Sequence, residues 1–394
     1  MNARMSRLLR LCAAVLLVAA DCPAFEKIAL IDSYDEVRCV DAETREGTEQ
    51  IVERALGTGA THIFWRNQSG SLPRYPSRED DLTMLQFPLD KRRVGGHSPH
   101  GWARLERGET NLIAHAFQSI RAHHASPGIH LTFEENHWAN WTMGPWNLEH
   151  PQFWCRAHGG VPWPGRSSFA YDEVLEHKMR LVDELIAMGA DTIYLDLWRD
   201  GNWSPRLEYV PKLVAEYTAM HGRPPPADPK DDSWLQFVSK YTHRYIRALR
   251  ARCDAAPRKV RLLVSLTHLE PGKEDRHHWE RYALDWKALA AEGVFDGIVV
   301  SDVNFSKGDP FGSTRRCYEY VRANCGSAAL YGHCTMYNYR RGIPSYMKAT
   351  GLSAAVVARR LLDVAKESGA SGVIMEVVDW VNYTPEVMKV IREF

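Results

Sequence analysis

The chain has 394 residues with 49 basic and 49 acidic side chains, a formal net charge of zero, and 45% hydrophobic residues. That length suits one large domain or two ordinary ones, and the apolar fraction is that of a globular protein. With no basic block and no arginine-rich stripe, the charge balance gives nucleic acid no electrostatic footing as a partner.

The first element is a leader. Arg4, Arg7 and Arg10 precede an unbroken apolar run from Leu11 to Ala20, and Val18-Ala19-Ala20 supplies small residues for cleavage, with Ala24 as a second cut. This is the pattern of a signal peptide over residues 1–24, leaving 25–394 as the mature domain in a secreted or periplasmic protein. The run is short for a membrane span, which leaves an uncleaved anchor as the alternative, and no later segment approaches spanning length. Asp21 stands where a lipidation motif before Cys22 wants a small uncharged residue.

From residue 27 onward, short β-branched or apolar runs alternate with amphipathic stretches. The runs predict strands at Lys27–Ser33, Thr61–Asn67, Gly128–Glu135, Thr192–Trp198, Lys259–Thr267, Gly297–Val303, Ala328–His333 and Gly372–Val378. Helices are expected at about 47–58, 108–123, 173–188, 233–253, 283–292, 313–323, 353–368 and 385–393. Glycines at 189, 293 and 369 mark helix ends just before strands. Eight such units in one domain predict a closed parallel (β/α)8 barrel, the TIM barrel. An open doubly wound sheet is the alternative, but its glycine-rich turn is missing after the first strand, where Tyr34-Asp35-Glu36 follows. Pro224-Pro225-Pro226 reads as a rigid loop between helical pieces of the fourth unit. The connections after the second strand (about 68–107) and the third (about 136–172) are long, and both leave the rim where barrel enzymes work.

Strand alternation then selects side chains for the barrel interior. Ile193, Leu195 and Leu197 suit the helix side, so Tyr194, Asp196 and Trp198 face inward; Ile129, Leu131 and Phe133 likewise leave His130, Thr132 and Glu134 inward. Glu376 faces inward if Val373 and Met375 pack outward. Asp302 does so only if Ile298 and Val300 are interior, which sets Ser301 against a helix. Asp32, Arg66, His268 and His333 complete a polar ring at the strand ends. Paired carboxylates are what glycosidic-bond hydrolysis requires, one to protonate the leaving oxygen and one to attack or to activate water. Asp196 with Asp302 is the first such pair, and Glu134 and Glu376 are the competitors. Each acid has a structural alternative, an ion pair holding Arg66 or Arg199. Of 13 tryptophans, five lie between 138 and 163, including Trp138 and Trp141, while Trp198, Trp203 and Trp380 follow strands. Indole faces stack on sugar rings, though a long loop also needs aromatic packing of its own. No recognised ligand spacing implies a cofactor or metal, although His97, His100, His277 and His278 keep a metal-assisted hydrolase open. Eight cysteines include no C-x-x-C; Cys317 with Cys325 is the closest pair, either bonded or as buried thiols.

Two runs carry a resemblance. Tyr171-Asp172-Glu173-Val174-Leu175-Glu176-His177, and Gly189-Ala190-Asp191-Thr192-Ile193-Tyr194-Leu195-Asp196-Leu197-Trp198-Arg199, are similar to the helix and strand of bacterial "family 10 glycosyl hydrolase-like" proteins. Asp285-Trp286-Lys287, Glu292-Gly293-Val294-Phe295-Asp296 and Ser368-Gly369-Ala370-Ser371-Gly372-Val373 resemble that group's later motifs. The likeness covers about 165–394; Thr192 departs from the group's usual glycine, and Leu197-Trp198 from its aromatic position. The resemblance implies a (β/α)8 barrel and glycoside hydrolase activity on a poly- or oligosaccharide. Asp196 would be the catalytic carboxylate and Arg199, Trp198, His268 and His333 substrate contacts, with Asp32, Arg66, Trp138 and Trp141 around them. A carbohydrate-binding barrel without turnover is the alternative from another class.

Overall fold

The computed structural model describes residues 25–31, 44–69, 72–73, 75–79, 111–132, 144–197, 205–267, 269, 275–301, 305, 308–334, 336, 342–376 and 383–394. All eight expected strands are present and close into one barrel. They are β1 (Glu26–Ile31), β2 (His62–Arg66), β3 (Ser126–Thr132), β4 (Thr192–Asp196), β5 (Arg261–Leu266), β6 (Gly297–Val300), β7 (Ala329–His333) and β8 (Gly372–Glu376). Each pairs in parallel with its sequence neighbours, and β8 returns to β1. The open-sheet alternative is thereby excluded.

Among the described residues, eight helices match the expected units around the barrel: α1 (Arg45–Leu56), α2 (Leu112–Ala122), α3 (Asp172–Met188), α4 (Asp232–Ala255), α5 (Trp286–Ala291), α6 (Pro310–Asn324), α7 (Ala354–Glu367) and α8 (Pro385–Glu393). Their starts follow from local chemistry. Thr44, Asp309, Ser353 and Thr384 each turn a side-chain oxygen onto a first-turn amide, and Pro310 and Pro385 supply a preset φ at the first helical position. α3 stops at Gly189, whose φ of 119° is closed to most side chains, and the chain turns directly into β4. The proline patch lies between the helix Pro211–His221 and α4, as expected. The sequence did not signal the helices Pro145–Glu149, Arg276–Tyr282 and Ile343–Thr350, or the antiparallel hairpin Trp154–Arg156 with Pro162–Ser167 in the loop after β3.

Alternation sorts the strand residues into two cores. Ile129, Ile193, Leu195, Val264, Ile298, Val300, Val373 and Met375 pack outward among the helices. Ile28, Leu30, Phe64, Tyr194, Leu263, Val299, Tyr331 and Ile374 fill the barrel. Each such side chain contributes about 1.5–3 kcal/mol by leaving water, so the interior is a packed floor rather than a channel. The condition set for Asp302 is not met up to Val300, and Asp302 itself lies outside the described residues. Ile298 and Val300 face the helices, Val299 faces inward, and the alternation brings Ser301 to the interior phase. An Ile-Val-Val run is apolar on both faces, so its phase cannot be read from composition.

Below the floor, Arg261 donates to both oxygens of Glu26 (3.1 and 3.0 Å) and to the Tyr331 hydroxyl (3.2 Å), which in turn donates to Glu26 (3.1 Å). The described cysteines, Cys317 and Cys325 included, are buried free thiols. The leader over residues 1–24 lies outside the described residues, and no described helix is long and apolar enough to cross a membrane.

Candidate active site

Asp196 is the last residue of β4. Because Ile193 and Leu195 are held among the helices and Tyr194 inside the barrel, Asp196 enters the interior directly above the apolar floor, 2% exposed. Its Oδ2 lies 2.7 Å from Nε2 of His130, a fully buried side chain from the interior face of β3. Its Oδ1 accepts the Ser265 hydroxyl from β5 at 3.0 Å.

Ser265 Oγ in turn accepts the Leu197 amide at 2.8 Å, so the one hydroxyl joins the backbone after β4 to the carboxylate. Hydrogen bonds donated to a carboxylate favour its charged form, and more strongly where water is excluded. A proton on His130 Nε2 would be donated to Oδ2 of that carboxylate. The His130 ring lies 5.6 Å from that of Tyr194, which itself lies 6.0 Å from Phe64. The pair therefore sits on aromatic packing within the barrel.

Arg66 ends β2 in register with His130, and His333 ends β7. Both are nearly inaccessible, at 2% and 3%, and both continue the interior phase of their strands. Both therefore lie at the C-terminal ends of their strands. Glu376 ends β8 in register with Leu30. Asp32, Glu134, Trp138, Trp141, Trp198, Arg199, His268 and Asp302 lie outside the described residues, as do His97 and His100.

The loop after β3 is partly a built wall. Trp146 stacks between His177 (4.3 Å, 6°) and His150 (4.3 Å, 18°), and the Trp154 indole donates to the Asn147 carbonyl at 2.8 Å. These two tryptophans hold the loop together, which is the packing role weighed against sugar stacking. Burial pushes the His177 imidazole down to about 3, helped by the charges of Arg180 and His150.

Sequence reasoning missed Glu208, which is 2% exposed on the connection from β4. It accepts the Ser168 hydroxyl at 2.5 Å and the Cys155 thiol at 3.5 Å, while its backbone pairs with Arg156. Nothing in Leu207-Glu208-Tyr209 signals that contact, since its partners are 40 and 53 residues away. His130 and Ser265 went unassigned for the same reason, a role made only by strand register.

No family model matches the chain, and no curated protein matches it in sequence. Solved structures do resemble it. The glycoside hydrolase domain of PgaB (BpsB) from Bordetella bronchiseptica superposes with a TM-score of 0.59 at 13% identity, covering 94% of this chain and 98% of that one. The alpha-L-fucosidase isoenzyme 2 from Paenibacillus thiaminolyticus gives 0.57 at 10% identity, over 94% of this chain and 49% of its own length. The beta-galactosidase from the psychrophilic Marinomonas ef1 gives 0.57 at 9%, over 93% and 59%. The chain thus spans the whole of the first and about half of the other two. At such identities the likeness is one of fold.

Proposed function

We propose that the chain is an exported glycoside hydrolase that cleaves a poly- or oligosaccharide, with Asp196 as the carboxylate that stays ionised. One observation carries the reading: a buried carboxylate at the C-terminal end of β4, held by His130 on one oxygen and Ser265 on the other. Carboxylates at that depth of a (β/α)8 barrel are where its chemistry is done. The fold shared with three glycosidases, and the resemblance of residues 165–394 to the family 10-like group, support it.

Glycosidic cleavage passes through a cation-like sugar ring, which a fixed negative charge stabilises without reorganising. Ser265 and His130 make Asp196 such a charge, suited to nucleophile or base and unsuited to giving up a proton. The acid is then a second carboxyl group, from Glu134, Glu376 or Asp302. A separation of about 5–5.5 Å from Asp196 implies retention, and about 6.5–9.5 Å implies inversion. Arg66 and His333, with Asp32, Trp138, Trp141, Trp198, Arg199 and His268, would bind the sugar.

Incubating the purified mature protein with a glycan panel and measuring released reducing ends tests this reading. Turnover of at least one glycan is expected, and its absence across the panel contradicts it. A carboxylate engaged on both oxygens also suits a structural role, so a glycan-binding barrel without turnover is the second reading; it predicts affinity alone. Export is tested separately. The mature chain should begin at Asp21 or Phe25 by mass analysis, and secreted material beginning at Met1 contradicts the cleavage.

A further inference from the structure

Two hydroxyls beside Asp196 break a rule that the other described buried threonines keep. Among the described buried threonines, Thr48, Thr58, Thr242 and Thr314 donate to carbonyls, and Thr192 accepts from Arg261. Thr132 and Thr267, 3% and 1% exposed, have no hydrogen-bond partner among the described residues. A buried hydroxyl left unpaired is destabilising, and valine would fill the same space without that cost. Both exceptions flank one carboxylate. Thr132 is the β3 register partner of Asp196, in phase with His130. Thr267 continues the interior phase of β5, one pleat above the Ser265 that donates to Asp196.

We propose that Thr132 and Thr267 are recognition groups for ring hydroxyls of the sugar at the point of cleavage. The inference rests on the glycosidase reading and adds what that sugar must carry. A hydroxyl both donates and accepts, so a pair of them matches a polyol and gives nothing to an apolar ligand. Asp196 acts at the anomeric carbon, and Thr132 stands level with it, so Thr132 takes the hydroxyl on the neighbouring ring carbon. Thr267 stands higher and takes one further out. The substrate then bears a free hydroxyl next to the anomeric carbon, and a sugar deoxygenated there pairs poorly.

Thr132→Val and Thr267→Val test this, with Asp196→Asn as the control for the reading itself. The probes are p-nitrophenyl glycosides and oligosaccharides, together with the 2-deoxy form of whichever sugar is cleaved. Each valine variant should melt, without sugar, at or above the wild-type temperature, because an unpaired hydroxyl has been removed. Each should lose about tenfold in kcat/KM, the usual worth of a neutral hydrogen bond. On the 2-deoxy sugar the Thr132→Val penalty should vanish, since the partner is already gone. A lower melting temperature in either variant overturns the inference by making the hydroxyl structural. So does kcat/KM within twofold of wild type, or an equal penalty on the deoxy sugar, while Asp196→Asn remains inactive. A wild-type protein that neither cleaves nor binds any glycan of the panel overturns the reading of the site and this inference together.

Discussion

At the N-terminal end of the barrel, Glu26, Arg261 and Tyr331 hydrogen-bond one another in a closed triangle. At the C-terminal end, Asp196, His130 and Ser265 form a chain of bonds bordered by two hydroxyls with no partner among the described residues. The residue types are alike, and both groups adjoin the same apolar floor. What differs is the kind of group left open. The lower set leaves one guanidinium nitrogen, Arg261 Nη2, without a partner among the described residues, whereas the mouth leaves the Thr132 and Thr267 hydroxyls, which on our proposal await a sugar. Burial pushes the Tyr331 phenol up to about 12, so the lower set keeps its protons through the physiological range. In the upper set, Ser265 accepts from the Leu197 amide and donates to Asp196.

Three stability measurements can break or sharpen this contrast. The largest effect concerns acid and the wall beside the mouth. His177 titrates at about 3 when folded, against an ordinary value near 6.5. The unfolded chain therefore takes up a proton below about pH 6.5 that the folded chain refuses until about pH 3. The stability is fully present above that window and is lost as pH falls through it, by about 3 kcal/mol at pH 4. Chemical denaturation across pH should show the loss, and His177→Phe, which retains a ring against Trp146, should flatten it; an unchanged slope would place the acid sensitivity elsewhere. Next, Arg261→Ala should cost about 2 kcal/mol, reduced from the cost of a fully buried pair because Glu26 is 26% exposed. Turnover per folded molecule should stay near wild type. A collapse of turnover in stable protein would end the distinction between the two ends. The smallest effect is expected for Ser265→Ala, about 1 kcal/mol of stability. Its turnover should fall about tenfold, because Asp196 loses the hydroxyl that donates to it.

The barrel was legible because its signals are local. Isolated β-branched runs, side-chain caps such as Ser353, and a glycine stop such as Gly189 each act within a few residues. Asp196 was legible because Ile193, Leu195 and Leu197 form a clean apolar face opposite it. The same logic failed at Ile298-Val299-Val300, which is apolar throughout. His130 was visible only as an interior residue. Its contact with Asp196 spans 66 residues, and that of Ser265 spans 69, so both are products of register between neighbouring strands. Glu208 was hidden more deeply, since the hairpin it braces has no alternation of its own.

The most direct test compares initial rates of wild type and Asp196→Asn at equal folded concentration, on whichever glycan the wild type cleaves. Asparagine keeps the shape and an acceptor oxygen for Ser265 while removing the charge. The account predicts that turnover falls by a factor on the order of a thousand or more, with glycan affinity and fold retained, because the charge matters chiefly in the transition state. Turnover close to wild type in a well-folded Asp196→Asn protein would contradict it.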